Sequence, residues 1–297
     1  MRPGELSIKL LLVTLAMAST TAILLGQTSP ADLVRETVEN EIKSTDGGAY
    51  FMFRDYKQTG RGSQTKLVVE TREAMAGMVV AINGKPLTTD QRRAELARLD
   101  SLANNPDELK KKQRAEKADA QRTMRIVSAL PEAFLYERDG SETGRQGVGR
   151  PGDELVRLKF WPNPKYSPPS RVEEVLTGMQ GYMLIDENQH RLAQIDGTLF
   201  KQVSFGWGIL GHLDKGGHFL VEQASMGEGA WEVTRMDLAF TGRILLFKGI
   251  NFKSNEVFTD FRPAPPNLTF AGAVELLKKQ APAPVETYLE NGGDPPR

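Results

Sequence analysis

The sequence contains no cysteine, which excludes disulfides, thiol catalysis and cysteine metal sites. It also lacks an excess of charge of either sign, because 38 basic residues balance 38 acidic ones. A dedicated nucleic-acid-binding protein usually presents a basic surface, so we expect no nucleic acid among the partners. The hydrophobic fraction of 39% and the charged fraction of 26% are those of an ordinary folded domain.

The sequence also lacks the short motifs that identify common catalytic sites. It has no Gly-x-Ser-x-Gly elbow, and the glycine-rich segment 141–154 lacks the Gly-Lys-Ser/Thr ending of a phosphate-binding loop. The best metal candidates are His212, Asp214 and His218, but their spacing matches no standard zinc pattern. We therefore predict no catalytic residue, no metal site and no cofactor, and a protein that is not an enzyme.

The first 26 residues have the pattern of a secretory signal peptide or an N-terminal anchor. Arg2 and Lys9 precede the apolar segment 10–26, which contains several small residues. This segment is slightly shorter than the ~20 apolar residues that a membrane span needs, which favours a cleaved signal. We expect a periplasmic or cell-envelope protein, soluble if the signal is cleaved and anchored in the inner membrane otherwise.

Helical patterns occur at both ends of the remaining chain and once inside it. Ser29 and Pro30 begin a helix that carries apolar residues at four-residue spacing. A helical pair at about 88–130 interrupts the strand pattern, and its first half is highly charged. We predict one domain over residues 29–280 with this pair as an insertion, followed by a disordered tail rich in proline and glycine, 281–297.

Paired strands separated by glycine and short polar turns dominate residues 178–262. Between residues 231 and 250, large apolar residues occur at both odd and even positions, so neither face of the sheet is simply solvated. Helices would cover one apolar face, and the other must contact a second layer or an apolar ligand. The pattern predicts an α+β fold with a curved antiparallel sheet wrapped around helices.

Two segments carry a resemblance to a known superfamily. They are the first helix followed by YFMFRDYKQTG (50–60), and the hairpin GYMLIDENQHRLAQIDGTL (181–199). In this order they resemble the LolA/LolB-like periplasmic lipoprotein carriers and their RseB-like relatives. The resemblance implies a half-barrel that binds a lipidic or acylated ligand on its concave face, and it supplies no residue motif for that role.

Three functions follow from these patterns. The first is an exported, non-enzymatic envelope protein that binds a lipid or lipoprotein ligand on the concave sheet face. The alternatives are a secreted hydrolase of cell-envelope polymers and an envelope assembly subunit with a protein partner. The apolar residues expected to contact the ligand are Phe51, Phe53, Met236, Leu238, Phe240, Leu245 and Phe247.

Overall fold

The computed structural model describes residues 28–44, 48–205, 211–244 and 248–280. The predicted signal segment and the predicted disordered tail lie outside these residues. Within the described ranges, no helix is both long enough and apolar enough to cross a membrane.

Helices occupy the positions that the periodic patterns predict. A short 3-10 helix, Val175–Gly178, continues the fourth α-helix. The α-helices are α1 (Pro30–Ser44), α2 (Thr89–Asn104), α3 (Pro106–Ala133), α4 (Arg171–Glu174) and α5 (Phe270–Gln280).

Thirteen strands form one sheet, and every ladder between the named strands is antiparallel. The first half contains β1 (Phe51–Thr59), β2 (Gly62–Val69), β3 (Ala76–Ile82), β4 (Lys85–Pro86), β5 (Phe134–Thr143), β6 (Glu154–Pro162) and β7 (Met179–Asp186). The second half contains β8 (Arg191–Leu199), β9 (Val203–Phe205), β10 (Gly211–Leu213), β11 (His218–Gly227), β12 (Ala230–Ile244) and β13 (Lys248–Pro263).

The sheet is curved and does not close into a barrel. Its strands follow the order β4-β3-β2-β1-β13-β12-β11-β8-β7-β6-β5, with β10 and β9 attached beside β12. The strand β1 therefore pairs with β13 from the far end of the domain, which joins the two halves of the chain. This arrangement confirms the predicted α+β class and the antiparallel sheet.

Local capping groups fix the helix boundaries. The Thr88 hydroxyl accepts a hydrogen bond from Gln91 N, and the Gln91 side chain accepts one from Thr88 N, so α2 begins with a capping box. The helix α3 continues past Pro131, where the sequence predicts an end. Its final carbonyls find donors outside the helix, since the Asn163 amide donates to Glu132 O at 3.0 Å.

Two helical layers cover opposite faces of the sheet. The helices α2 and α5 pack against β2 and β3, with Met52 of β1 beside their core. Lys57 lies five residues further along β1, so its side chain points to the face opposite that of Met52. Lys57 pairs with Glu256 of β13, and Glu256 pairs with Met236 of β12. This cross-strand row of Lys57, Glu256 and Met236 belongs to the face that α1 and α3 cover. The candidate cavity lies on the same face.

A candidate ligand-binding cavity

A large apolar cavity lies between the second half of α3 and the strands β8, β11 and β12. Its volume is about 1110 Å³, and α1, α4 and the 3-10 helix complete its wall. Only three charged side chains, Glu41, Lys117 and Arg171, are among its lining residues. The interior contacts available to a ligand are therefore almost wholly hydrocarbon.

Helical and strand periodicities place the lining side chains. On α3, Met124, Val127 and Leu130 recur at three-residue spacing and face the sheet. On β11, Phe219 and Val221 are two residues apart and point to the same side. Each element therefore contributes one apolar stripe to a shared cavity.

A bulge between β11 and β12 changes which residues of β12 reach the cavity. Glu222 pairs with Arg235 and Gln223 with Val233, so Thr234 has no opposite residue in this ladder. As a result, Val233 and Leu238 both line the cavity although one is odd-numbered and the other even-numbered. The bulge therefore explains part of the sequence pattern in which large apolar residues occur at both odd and even positions.

A second cavity of about 630 Å³ continues the first one at the end of the sheet where β1 and β12 begin. The two cavities share Glu41, Lys117, Ala120, Gln223 and Val233. Charged side chains are frequent in the second cavity, where Glu41, Glu70, Arg72, Glu73, Glu116, Lys117, Arg191 and Glu232 are lining residues. The first cavity is therefore an apolar chamber, and the second cavity is a polar vestibule beside it.

A buried ion pair closes one side of the vestibule. The Arg191 Nε donates to Glu41 Oε1 at 3.0 Å, and Leu192 N donates to the same oxygen at 2.9 Å. The Arg191 guanidinium also lies over the Trp231 ring, 5.6 Å from its centroid. Burial raises the pKa of the Glu41 carboxyl, and the charge of Arg191 offsets part of this effect.

Among the described residues, two further vestibule carboxylates form no ion pair. Glu70 accepts one hydrogen bond, from Phe51 N at 2.9 Å, and burial raises its pKa. In the part of the chain that the structure describes, the carboxylate of Glu232 makes no hydrogen bond or ion pair. Burial raises the pKa of Glu232 to about 7, the charge of Glu70 adds to the increase, and Arg191 offsets part of it.

The predicted ligand-contacting residues do not all lie together. Leu238 and Phe240 line the apolar cavity. Met236 pairs with the lining residue Val221 and so has the same orientation, but it is not among the lining residues. Leu245 and Phe247 lie outside the described residues.

Phe51 and Phe53 belong to a separate aromatic group on β1 and β13. The Phe53 ring lies 5.2 Å from the Phe261 ring and 5.9 Å from the Phe258 ring, measured between centroids. Phe51 is buried and borders a third cavity of about 610 Å³, which adjoins the vestibule at Arg191 and Trp231. Their contact with a ligand remains a prediction.

The three residues considered for a metal do not form one group: two of them pair with each other, and the third pairs with Asp196. His212 Nε2 lies 3.2 Å from Asp214 Oδ1, whereas His218 Nε2 lies 3.0 Å from Asp196 Oδ1. Across residues 28–44, 48–205, 211–244 and 248–280, no three side chains of the metal-ligating types converge.

Sequence reasoning did not assign the apolar face of α3 or the vestibule carboxylates to a ligand site. The helical spacing of Met124 and Val127 is visible in the sequence, but it predicts only a buried face. Glu232 is the detectable exception, because it is a charged residue between Trp231 and Val233 in an apolar strand. Glu70 gives no such indication, since it directly follows β2, at a position where charge is common.

The fold and the cavity together define a class: an α+β protein whose open antiparallel sheet and covering helices enclose an apolar chamber with a polar mouth. No family model matches the sequence, and no curated protein matches it. A DUF1329 family protein from Desulfovibrio piger aligns at 11% sequence identity, covering 84% of this chain and 100% of that chain, with a TM-score of 0.28. MucB, in its complex with MucA(peri), aligns at 9% identity over 80% of this chain and 99% of that chain, with a TM-score of 0.23. Both TM-scores are low, so neither alignment assigns a family or a function to this chain.

Proposed function

We propose that this protein is a non-enzymatic carrier or sensor that holds the apolar chain of a lipid or an acylated molecule between α3 and the sheet. The observation that supports the proposal is the apolar cavity of about 1110 Å³. Small-molecule sites commonly enclose roughly 300–1,000 Å³ and are lined mainly by apolar side chains with few polar groups. The cavity is slightly larger than this range and matches the description in its lining.

The lining of the cavity supports a hydrocarbon ligand. Protein interiors are close-packed, so an apolar space of about 1110 Å³ is unusual in a folded domain. Apolar walls also offer water few hydrogen-bond partners, so a hydrocarbon chain is the better occupant.

The proposal includes export and a place in the cell envelope. The charged and apolar pattern of residues 1–26 supports it, and residues 29–280 would then form the single binding domain, with the helical pair as an insertion whose second helix, α3, covers the cavity. A protein partner in the envelope remains compatible with this function. The hydrolase and the assembly subunit stay predictions without a specific contact that favours either one.

Two matched alanine-to-tryptophan variants on α3 test the binding site. Both alanines are exposed, but Ala120 lines both cavities and Ala115 lines neither of them. Purified full-length protein should release lipid on solvent extraction, detected by mass spectrometry, and should take up a fluorescent acyl chain. Ala120→Trp should weaken that uptake about tenfold or more, because the indole obstructs the passage between the cavities, and Ala115→Trp should leave it unchanged. Absence of both lipid and uptake in the unmodified protein would refute the proposal.

A further inference from the structure

We propose that one face of α3 docks the protein on an anionic phospholipid membrane, beside the opening through which a ligand enters the apolar cavity. We call this face the basic stripe, and its members are Lys110, Arg114, Lys117 and Arg125. The inference adds a second binding surface and its partner. Contact with the membrane does not require the cavity, whereas its use for ligand entry rests on the proposed function.

The members of the basic stripe lie on one side of α3. They follow one another at four, three and eight residues, and a helix turns once in 3.6 residues, so their side chains share a face. At 1.5 Å per residue, the stripe is about 22 Å long. All four residues are exposed. The helix therefore presents a row of cations to its surroundings.

The acids of α3 neutralise other cations than those of the stripe. Glu116 lies 2.8 Å from Lys112, and Asp119 pairs with Arg122. Along the described parts of the chain, no member of the stripe forms an ion pair or a hydrogen bond. Asp107 lies one turn before the stripe, in the first turn of the helix, where a negative charge stabilises the N-terminus. The stripe therefore creates a local positive field, although the whole chain has no net charge.

The basic stripe borders the apolar cavity. Lys117 lines both the cavity and the vestibule, and Gln121, one turn further along the same face, lines the cavity. Both residues are exposed, so this part of α3 lies between the interior of the cavity and solvent. Met124, on the turn after Gln121, lines the cavity and is partly buried. An anionic surface that contacts the stripe therefore lies next to the edge of the cavity.

An exposed aromatic side chain lies beside the same cavity on the sheet. Phe252 of β13 is 45% exposed, and it pairs with Phe240 of β12, which lines the cavity. Directly opposite residues of neighbouring strands point to the same side, so the Phe252 ring is next to the cavity wall. Apolar and aromatic side chains combined with cations are typical of surfaces that bind at the boundary between lipid head groups and acyl chains.

A membrane fits these features better than another polyanion does. Nucleic acids and acidic polypeptides would use the charge of the stripe alone and leave Phe252 and the cavity edge without an apolar partner. A phospholipid supplies an anionic head group and hydrocarbon in one molecule, and a bilayer presents both across a surface that matches the length of the stripe.

Vesicle binding by the full-length protein tests the proposal. Cosedimentation in about 0.1 M NaCl should show binding about tenfold tighter to phosphatidylcholine vesicles with about 30% phosphatidylglycerol than to pure phosphatidylcholine vesicles. The preference should decrease in about 0.5 M NaCl, because salt screens exposed charges. Residues 10–26 are the same in every variant, so any affinity of this segment for lipid cancels from the comparisons.

Two triple variants with the same change in charge locate the contact. The combination of Lys110→Gln, Arg114→Gln and Arg125→Gln should abolish the preference for anionic vesicles, and it leaves Lys117 in the cavity wall unchanged. The matched control replaces one lysine and two arginines that are exposed and line none of the three cavities, and it should retain the preference. These control substitutions are Arg61→Gln, Lys85→Gln and Arg93→Gln.

A second matched pair tests the apolar part of the surface. Phe252→Ala should weaken binding to the anionic vesicles about threefold, because its exposed ring no longer enters the interface. Leu135→Ala should leave this binding unchanged, since Leu135 is 42% exposed on β5 and lines none of the three cavities.

The outcomes separate this inference from the proposed function. Equal binding to both kinds of vesicle, or equal losses in the two triple variants, would overturn the membrane contact. Binding of soluble polyglutamate without binding of anionic vesicles would assign the stripe to an acidic polypeptide and also overturn it. Uptake of a fluorescent acyl chain delivered from solution tests the cavity alone. Absence of that uptake, with vesicle binding intact, would refute the proposed function and leave the membrane contact in place.

Discussion

At the scale of single residues, the pair of Glu41 and Arg191 connects α1 to the start of β8. Both side chains are largely buried, with exposed fractions of 15% and 8%. Breaking such a pair leaves one charge without a partner in a poorly solvated place. The pair therefore fixes the first helix against the sheet at the border of both cavities.

We expect Glu41→Gln to lower the free energy of unfolding by about 2–4 kcal/mol, because Arg191 would lose its counter-ion. The matched control is Glu39→Gln on the same helix, whose side chain is 59% exposed and whose contact with Lys43 is at 3.9 Å. That control should change stability by less than about 0.5 kcal/mol. Urea unfolding measures both, and equal effects of the two variants would contradict the structural role of the pair.

Glu232 should make the stability of the protein depend on pH. Its pKa rises from 4.5 to about 7 on folding, so between these values the native state binds a proton that the unfolded state has lost. Stability therefore falls as the pH rises through this window. Glu232→Gln, which mimics the protonated form, should gain about 1 kcal/mol at pH 8, given that the carboxylate is partly solvated, and nothing near pH 4. Thermal unfolding at both pH values checks this, and a gain of the same size at pH 4 would refute it.

At the scale of elements, α5 shows how a terminal helix completes a sheet. Its residues Phe270, Ala273, Val274 and Leu277 are all at most 1% exposed and pack on β2 and β3 with Leu99 of α2. Without α5, one face of these strands would lose much of its cover and keep only α2. The last helix therefore belongs to the core, although it follows all the strands in the sequence.

Leu277→Ala should cost about 3 kcal/mol, because it leaves a cavity in this second core. The neighbouring Leu276→Ala should cost about 1 kcal/mol, since Leu276 is only partly buried. Denaturant unfolding followed by circular dichroism compares the two variants. Similar losses would mean that α5 does not pack with the orientation described.

The elements differ from the predicted ones where a contact from elsewhere in the chain intervenes. The helix α3 continues past Pro131, and the Asn163 amide and the Tyr136 hydroxyl donate hydrogen bonds to carbonyls of its last turn. The residues at 231 and beyond form one long strand, and its bulge brings odd and even positions to the same cavity. Periodicity identified these helices and strands, but it could not locate a bulge or a distant donor.

At the scale of the whole molecule, the cavity connects ligand binding to stability. A ligand that binds only the folded state adds RT ln(1 + [L]/Kd) to the free energy of unfolding. An acyl ligand at a hundred times its Kd should therefore add about 2.7 kcal/mol and raise the melting temperature. Differential scanning calorimetry with delipidated protein measures the increase, and Ala120→Trp should reduce it. A melting temperature that is independent of the acyl ligand would contradict occupation of the cavity.

The sequence by itself determined the α+β class, the antiparallel pairing of successive strands and most helix boundaries, because these depend on local periodicity, turn residues and caps. It also predicted Leu238 and Phe240 as residues of an apolar inner face. Only the tertiary structure decided that α3 lies across that face, that the β12 bulge adds Val233, and that Glu70 and Glu232 line one vestibule with Arg191. Those facts arise from contacts between residues far apart in the chain, and neither burial nor the pKa of Glu232 can be deduced before the surrounding elements are in place.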